Sequence, residues 1–189
     1  MMRYLILIRH SQPAIEPEMA GRKWHLSAEG RARCRQLAEQ ISSYQPSPIV
    51  CSTEPKASET AALLSAQLGI SYSTNHDLRE HERDTVPYLG QEKWERAITE
   101  FFTRPDELVL GNETATQALQ RFDRAVQKIL HQHTEGNIAI VAHGTVITLF
   151  LAQHASIEPL PFWHALTLPA FFVVSLPDYV LINAIKALE

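Results

Sequence analysis

Cysteine is scarce in this chain. Cys34 and Cys51 are the only two among 189 residues, and they do not form a Cys-x-x-Cys pair. That removes a disulfide framework or a cysteine-based zinc site as the organising principle. Long apolar runs are missing too; none approaches the ~20 residues that a membrane-spanning helix needs. The run from Tyr4 to Ile8 is too short for the apolar segment of a secretion signal. Excess positive charge is also lacking. The 17 Lys and Arg face 21 Asp and Glu, for a net charge of -4, so the electrostatic footprint of a nucleic-acid binder is absent. The resulting expectation is a cytoplasmic protein without nucleic-acid or membrane partners. Hydrophobic residues make up 45% and charged residues 20%, an ordinary globular composition. The length suits one domain, expected over residues 1–189, with a core of its own.

What is present is an alternation of short apolar runs and helical patterns. Tyr4 to Ile8 reads as a strand buried on both faces, the parallel-sheet type, and Pro13 and Pro17 turn the next segment into a loop. Ser27 is placed to cap a helix running to about Tyr44, with Cys34, Leu37, Ala38 and Ile41 on one face. Pro46 and Pro48 end it. Ile49 to Cys51 is a second buried strand, and Pro55 suits the first turn of the helix that follows. Gly69 closes that helix, and Ile70 to Ser73 is a candidate third strand. Residues 76–112 carry more charge, prolines and glycines. They read as an irregular excursion with one helix near Gln91 to Phe102, forming a wall for substrate. A helix over about 113–133 follows, then a strand from Asn137 to Ala142 and a helix over Thr145 to Gln153. Phe171 to Leu176 and Tyr179 to Ile185 suggest a terminal hairpin. This pattern predicts an α/β fold. We expect a three-layer α/β/α sandwich with a mostly parallel central sheet and an antiparallel C-terminal edge.

In such sheets ligands bind beyond the carboxyl ends of the strands. Three strand ends carry chemistry: Arg9 and His10, then Ser52 with Lys56 one turn further, then His143 and Gly144. Brought together, two imidazoles, a guanidinium and an ammonium make an anion site suited to a phosphoryl group. A neutral imidazole can attack phosphorus and divide one displacement into two easier ones. Arg9 and His143 would balance the charge of the transition state. The leaving oxygen needs a proton, for which the excursion offers Glu80 and Glu82.

Leu7-Ile8-Arg9-His10 resembles the Arg-His signature of the histidine phosphatase (phosphoglycerate mutase-like) superfamily. The resemblance continues in order along the chain. Leu26 to Gly30 resembles the family's Leu-Thr-x-x-Gly helix start. Ser52 to Ala61 looks like its Ser-x-x-x-Arg-Ala-x-x-Thr-Ala segment. Leu78-Arg79-Glu80 matches its Leu-x-Glu. Gly111 to Thr114, with Arg121 further on, is similar to its Gly-Glu-Ser helix start. Val141 to Gly144 matches its Val-x-His-Gly. The resemblance implies His10 as nucleophile and Glu80 as proton donor, later the base that activates water. It implies Arg9 and His143 as phosphate ligands, with Lys56, Ser11, Arg22 and Gly144 lining the site. It implies no metal and no organic cofactor, and a phosphorylated small molecule or phosphoprotein as partner.

Two departures stand out. Lys56 replaces the family's arginine, keeping the charge but losing the planar fork that binds two oxygens. Ser11-Gln12-Pro13 lacks the Gly-x-x-x-x-Asn continuation of the mutases, which favours hydrolysis over transfer. A phosphoryl-transfer mutase and a weakly catalytic phosphate-binding module remain the competing readings. Glu113 and Arg121 lie eight residues apart and need not touch; Glu113 is expected in the first turn of its helix, where the helix dipole favours it. The remaining histidines are expected to be surface or satisfied core residues.

Overall fold

The structure is a computed structural model that describes residues 3–87 and 89–185. The first two and last four residues of the expected domain lie outside it. Six strands form one sheet in the order β3-β2-β4-β1-β5-β6. They are β1 (Arg3–Arg9), β2 (Pro46–Ser52), β3 (Tyr72–Asn75), β4 (Asn137–Ala142), β5 (Ala170–Leu176) and β6 (Leu181–Ile185). The β1/β4, β2/β4 and β2/β3 pairs are parallel. β5 pairs antiparallel with β1 and β6 antiparallel with β5. The mostly parallel sheet with an antiparallel C-terminal edge is therefore as the alternating pattern implied.

The layers follow from the two-residue period of β1. Leu5 and Leu7 point to one side, where they pack with helices α3 (Gln91–Thr103), α4 (Ala115–Gln132), α5 (Gly144–Ala155) and α6 (Pro159–His164). Ile6 and Ile8 point to the other, against α1 (Ala28–Ser42) and α2 (Pro55–Leu68). All four side chains are fully buried, which is why this strand is continuously apolar.

Local signals account for most boundaries. Ser27 caps α1 by accepting the Gly30 N–H at 2.9 Å. Pro55 stands in the first turn of α2, and Gly69 ends it with a left-handed φ of 67°. Several boundaries differ from expectation; β6, for one, starts at Leu181, two residues later than expected. β2 starts three residues early, at Pro46, which pairs with Asn137; Pro48 falls within the register shift between Pro46 and Ile49, where no regular ladder is interrupted. β3 starts two residues late. Ile70 is still tied to the end of α2, its N–H on the Ser65 carbonyl and its own carbonyl accepting the Ser65 hydroxyl. Glu113 precedes α4, which Thr114 caps in a reciprocal box with Gln117. The short helix α6 had no forecast; with two prolines in six residues, its pattern is too brief to read.

Register decides where the site forms. Arg9 pairs with Ala142 across β1/β4, and Cys51 with Val141 across β2/β4. The next residues, His10, His143 and Ser52, consequently leave the sheet side by side at its carboxyl edge. The His10 N–H extends the ladder by one rung to the Ala142 carbonyl, at 3.0 Å.

Candidate active site

His10 and His143 meet edge to face, with ring centroids 5.1 Å apart. Both are buried, His10 at 6% exposure and His143 at 0%. His10 Nδ1 lies 2.7 Å from the Ser11 carbonyl oxygen. Since a carbonyl only accepts, Nδ1 carries the ring proton and Nε2 keeps its lone pair. Burial pushes the His10 pKa well below its usual value, and Lys56 and Arg9, with His143 whenever that ring is protonated, disfavour a further positive charge there. His143 is lowered well below normal in the same way, by burial and then by Lys56. Both rings are thus neutral near pH 7.

His143 Nε2 lies 2.9 Å from the Ser52 hydroxyl. That hydroxyl accepts the Glu54 N–H, so it can give its own proton to Nε2. The ring proton then sits on Nδ1, which has no partner among the described residues. Arg9 is held by the carbonyls of Leu166 and Thr167, at 3.1 and 3.2 Å from Nη1. Its Nε is buried without a partner among the described residues. Burial lowers the Arg9 pKa to about 10, against the pull of Glu80, so the guanidinium stays charged at neutral pH. Gly144 matters sterically here: a Cβ on it would come 3.0 Å from Arg9 Nε.

Glu80 sits at the start of α5. The backbone N–H groups of Thr145 and Val146 donate to its two oxygens at 3.2 and 3.3 Å, and its neighbour His81 donates at 2.9 Å. Burial alone would raise its pKa. Arg83, His143 and the His81 N–H outweigh that and hold it below the ordinary value. The backbone that carries Glu80 is fixed by Arg121, whose guanidinium donates to the carbonyls of Asp77, Arg79 and Glu80. Arg121 also pairs with Glu113, with Nε 3.2 Å from Oε2 and both side chains almost fully buried. The eight-residue spacing therefore does not keep them apart. Glu113 stands before the helix rather than in its first turn, and from there it reaches back to the second turn.

These groups surround a cavity of about 630 Å³, within the range of small-molecule sites. Of the sequence-predicted residues, Arg9, His10, Arg22, Lys56, Glu80 and Gly144 line it. His143 lies beneath the lining. Ser11 does not reach the cavity; its hydroxyl donates to the Gly30 carbonyl at 2.7 Å and its N–H to Thr60 Oγ1 at 3.0 Å. Arg22 is half-exposed and paired with Asp84. Glu82, the other carboxylate considered, also lines the cavity, yet its side chain is 42% exposed against 13% for Glu80.

Arg83 and Glu54 stand out among the cavity residues that had no role in the sequence reading. Arg83 lies within 4.0 Å of Glu80 Oε2 and stacks over Trp94 at 4.8 Å; its position three residues after Glu80 was the available signal. Glu54 is the second, and its place inside the phosphate-site segment gave no hint of its direction. Trp24 borders the cavity, and Trp94 and Trp163 line an adjoining one of about 680 Å³.

A neutral imidazole, buried donors without a partner among the described residues and a carboxylate at a helix start stand together at the carboxyl edge of a parallel sheet. The histidine phosphatase superfamily (branch 1) matches residues 5–175, and the chain belongs to that superfamily. It is by that membership an enzyme, a phosphoric monoester hydrolase of the histidine phosphatase class. Solved structures agree in fold. A mycobacterial protein described as hydrolase 1 superposes with a TM-score of 0.83 at 19% identity, over 100% of both chains. The mycobacterial glucosyl-3-phosphoglycerate phosphatase gives 0.80 at 20% identity, also over 100% of both. The alpha-ribazole phosphatase of Shigella flexneri gives 0.74 at 16% identity, over 97% of this chain and 96% of that one. No curated protein matches the sequence significantly. Among the described residues no helix is long and apolar enough to cross a membrane.

Proposed function

We propose that the protein hydrolyses the phosphomonoester of a small molecule through a phosphohistidine on His10. The observation that carries this is the His10 ring itself. Its Nδ1–H is committed to the Ser11 carbonyl, and its Nε2 is left as a neutral nucleophile at the floor of a cation-lined cavity.

In the first step Nε2 attacks phosphorus. The N–P bond forms, the bond to the ester oxygen breaks, and that oxygen takes a proton from the Glu80 carboxyl group. Arg9 and the His143 Nδ1–H carry the charge spreading over the phosphoryl oxygens. Glu80 is held ionised in the free site, but an arriving phosphate dianion repels its charge and raises its affinity for the proton it must deliver. In the second step Glu80, now a carboxylate, takes a proton from water. The water oxygen attacks phosphorus, the N–P bond breaks, and orthophosphate leaves with His10 neutral again.

The cavity volume supports a small-molecule ester over a folded phosphoprotein. Phosphatase chemistry in the named structural relatives accords with this, as does the absence of the mutase continuation after His10. The decisive experiment pairs His10→Ala with p-nitrophenyl phosphate and alkaline-quench trapping of a phosphorylated chain, since the N–P bond survives base and not acid. Loss of both turnover and label is the expected result; retained turnover would remove the assignment.

A further inference from the structure

The reaction above makes no use of Glu54, and it leaves Lys56 without a task. Both are nearly buried, at 8% and 6% exposure. Lys56 Nζ lies 2.6 Å from Glu54 Oε2 and 2.6 Å from the Gly21 carbonyl oxygen. Glu54 Oε1 accepts the Glu80 N–H at 2.8 Å and lies 3.6 Å from His143 Nε2. One carboxylate therefore touches the expected phosphate-binding lysine, the distal histidine and the backbone of the proton donor. Two of the three lysine hydrogens are spent inside the protein, and its charge is matched before any ligand arrives.

We infer that Glu54 is a built-in anion of the phosphoryl site, which ties Lys56 to the 21–24 turn as a clamp and keeps orthophosphate weakly bound. The inference rests on the phosphatase reading of this cavity. Its logic is electrostatic. A phosphate dianion entering beside a fixed carboxylate is repelled, and Lys56 cannot serve both anions fully. Binding energy shared equally by substrate and product lowers KM without raising turnover. A site that holds the bare phosphate weakly releases it and leaves recognition to the leaving group. The wall offered to that group includes Ile15, Trp24 and Leu168. The substrate class that fits is a monoester with a sizeable, partly apolar leaving group. Glu54 also acts as a positioning residue: its Oε1 fixes the Glu80 backbone, and its charge opposes the cations that hold Glu80 ionised.

Calorimetric titration with orthophosphate tests this without any turnover. Glu54→Gln keeps an acceptor for the Glu80 N–H and frees the lysine charge; it should bind orthophosphate roughly tenfold more tightly or better. Lys56→Met should bind at least roughly tenfold more weakly, because Glu54 is then unbalanced. The double variant should return to within about threefold of the parent. In steady state, Glu54→Gln should lower KM and kcat together as product release slows. Unchanged orthophosphate affinity in Glu54→Gln, or no recovery in the double variant, overturns the inference. Should Glu54→Gln lose its thermal transition, the apolar pair Glu54→Met with Lys56→Met replaces it. Near-parental affinity then supports the clamp, and a tenfold loss marks Lys56 as a direct ligand and overturns it. Activity surviving His10→Ala would strike the phosphatase reading instead, so the two failures stay distinguishable.

Discussion

The 2.7 Å contact between His10 Nδ1 and the Ser11 carbonyl oxygen fixes the tautomer of the nucleophile. Burial of that ring, and of two others, sets the acid behaviour of the protein against the pull of this contact. His10, His143 and His81 are all lowered, each first by burial. Below the ordinary pKa of about 6.5, the unfolded chain takes up protons at these rings and the folded chain does not. Stability is therefore fully present above that value and falls with pH towards the lowered folded values, by up to about 1.4 kcal/mol per site per pH unit. Glu80, also lowered, adds loss in the same direction below its ordinary value of 4.5. Thermal melts at pH 7.5, 6.5 and 5.5 should show little change in the first step and a larger fall in the second. His10→Asn and His143→Asn should each flatten it, and a melting point independent of pH would contradict the burial account. For the same reason His10 should not limit kcat/KM on the acid side near pH 6.5, but well below it.

Glu80 has two successive tasks, and its removal should separate them. With a poor leaving group, Glu80→Gln should lower kcat/KM by about 10²- to 10⁴-fold, the usual worth of a positioned acid. With p-nitrophenyl phosphate, whose leaving group needs no proton, kcat/KM should change by less than about tenfold. Water activation still requires a base, so the variant should give a burst of p-nitrophenol and then stall as the phosphohistidine. Stopped-flow absorbance reads this directly. Equal losses with both esters would assign Glu80 to binding rather than proton transfer.

Arg121 should matter to both folding and catalysis, although it does not line the cavity. Arg121→Met leaves the buried Glu113 unpaired and strips donors from the carbonyls of Asp77, Arg79 and Glu80. Breaking such a buried pair costs about 3–5 kcal/mol, measurable as a shift in the urea midpoint. Adding Glu113→Gln should recover part of that stability but little of kcat, since the Glu80 backbone stays untethered. Full recovery of kcat would mean that the tether is irrelevant to chemistry.

The parts of this molecule that were legible in its sequence share a cause. β1, β4 and the two histidines follow from apolar runs that end abruptly in Arg9-His10 and His143-Gly144, a local signal of a strand meeting a site. The caps at Ser27, Pro55 and Gly69 are local as well. What stayed hidden depends on where long side chains turn after the backbone is placed. Lys56 had the right charge in the right segment, but its direction is set by Glu54 two residues before it and by Gly21 far away in sequence. Ser11 adjoins the nucleophile, yet it spends its hydroxyl on the Gly30 carbonyl. Arg121 reaches its partners through a fold-level approach of α4 to the loop after β3. Helical spacing argues against its pairing with Glu113, and that argument fails because Glu113 is not helical.

Gly30 offers the sharpest steric test. It lies in the first turn of α1, where a Cβ would come 2.0 Å from the Gln12 carbonyl oxygen and 2.9 Å from its carbon. Both are backbone atoms, so no side-chain rotation can relieve the clash. The chain at Gln12 must move, and it is joined through Ser11 to His10. The same glycine carbonyl accepts the Ser11 hydroxyl. Gly30→Ala should destabilise by about 1–3 kcal/mol or more, although alanine is the better helix former. It should also lower kcat/KM, because the Ser11 carbonyl that sets the His10 tautomer is displaced. Gly90→Ala is the control: φ is -64° there and nothing among the described residues lies within 4 Å of the added Cβ, so its effect should stay within about 0.5 kcal/mol. Equal midpoints for the two variants in urea would show that the approach of Gln12 to Gly30 is not a constraint on the nucleophile.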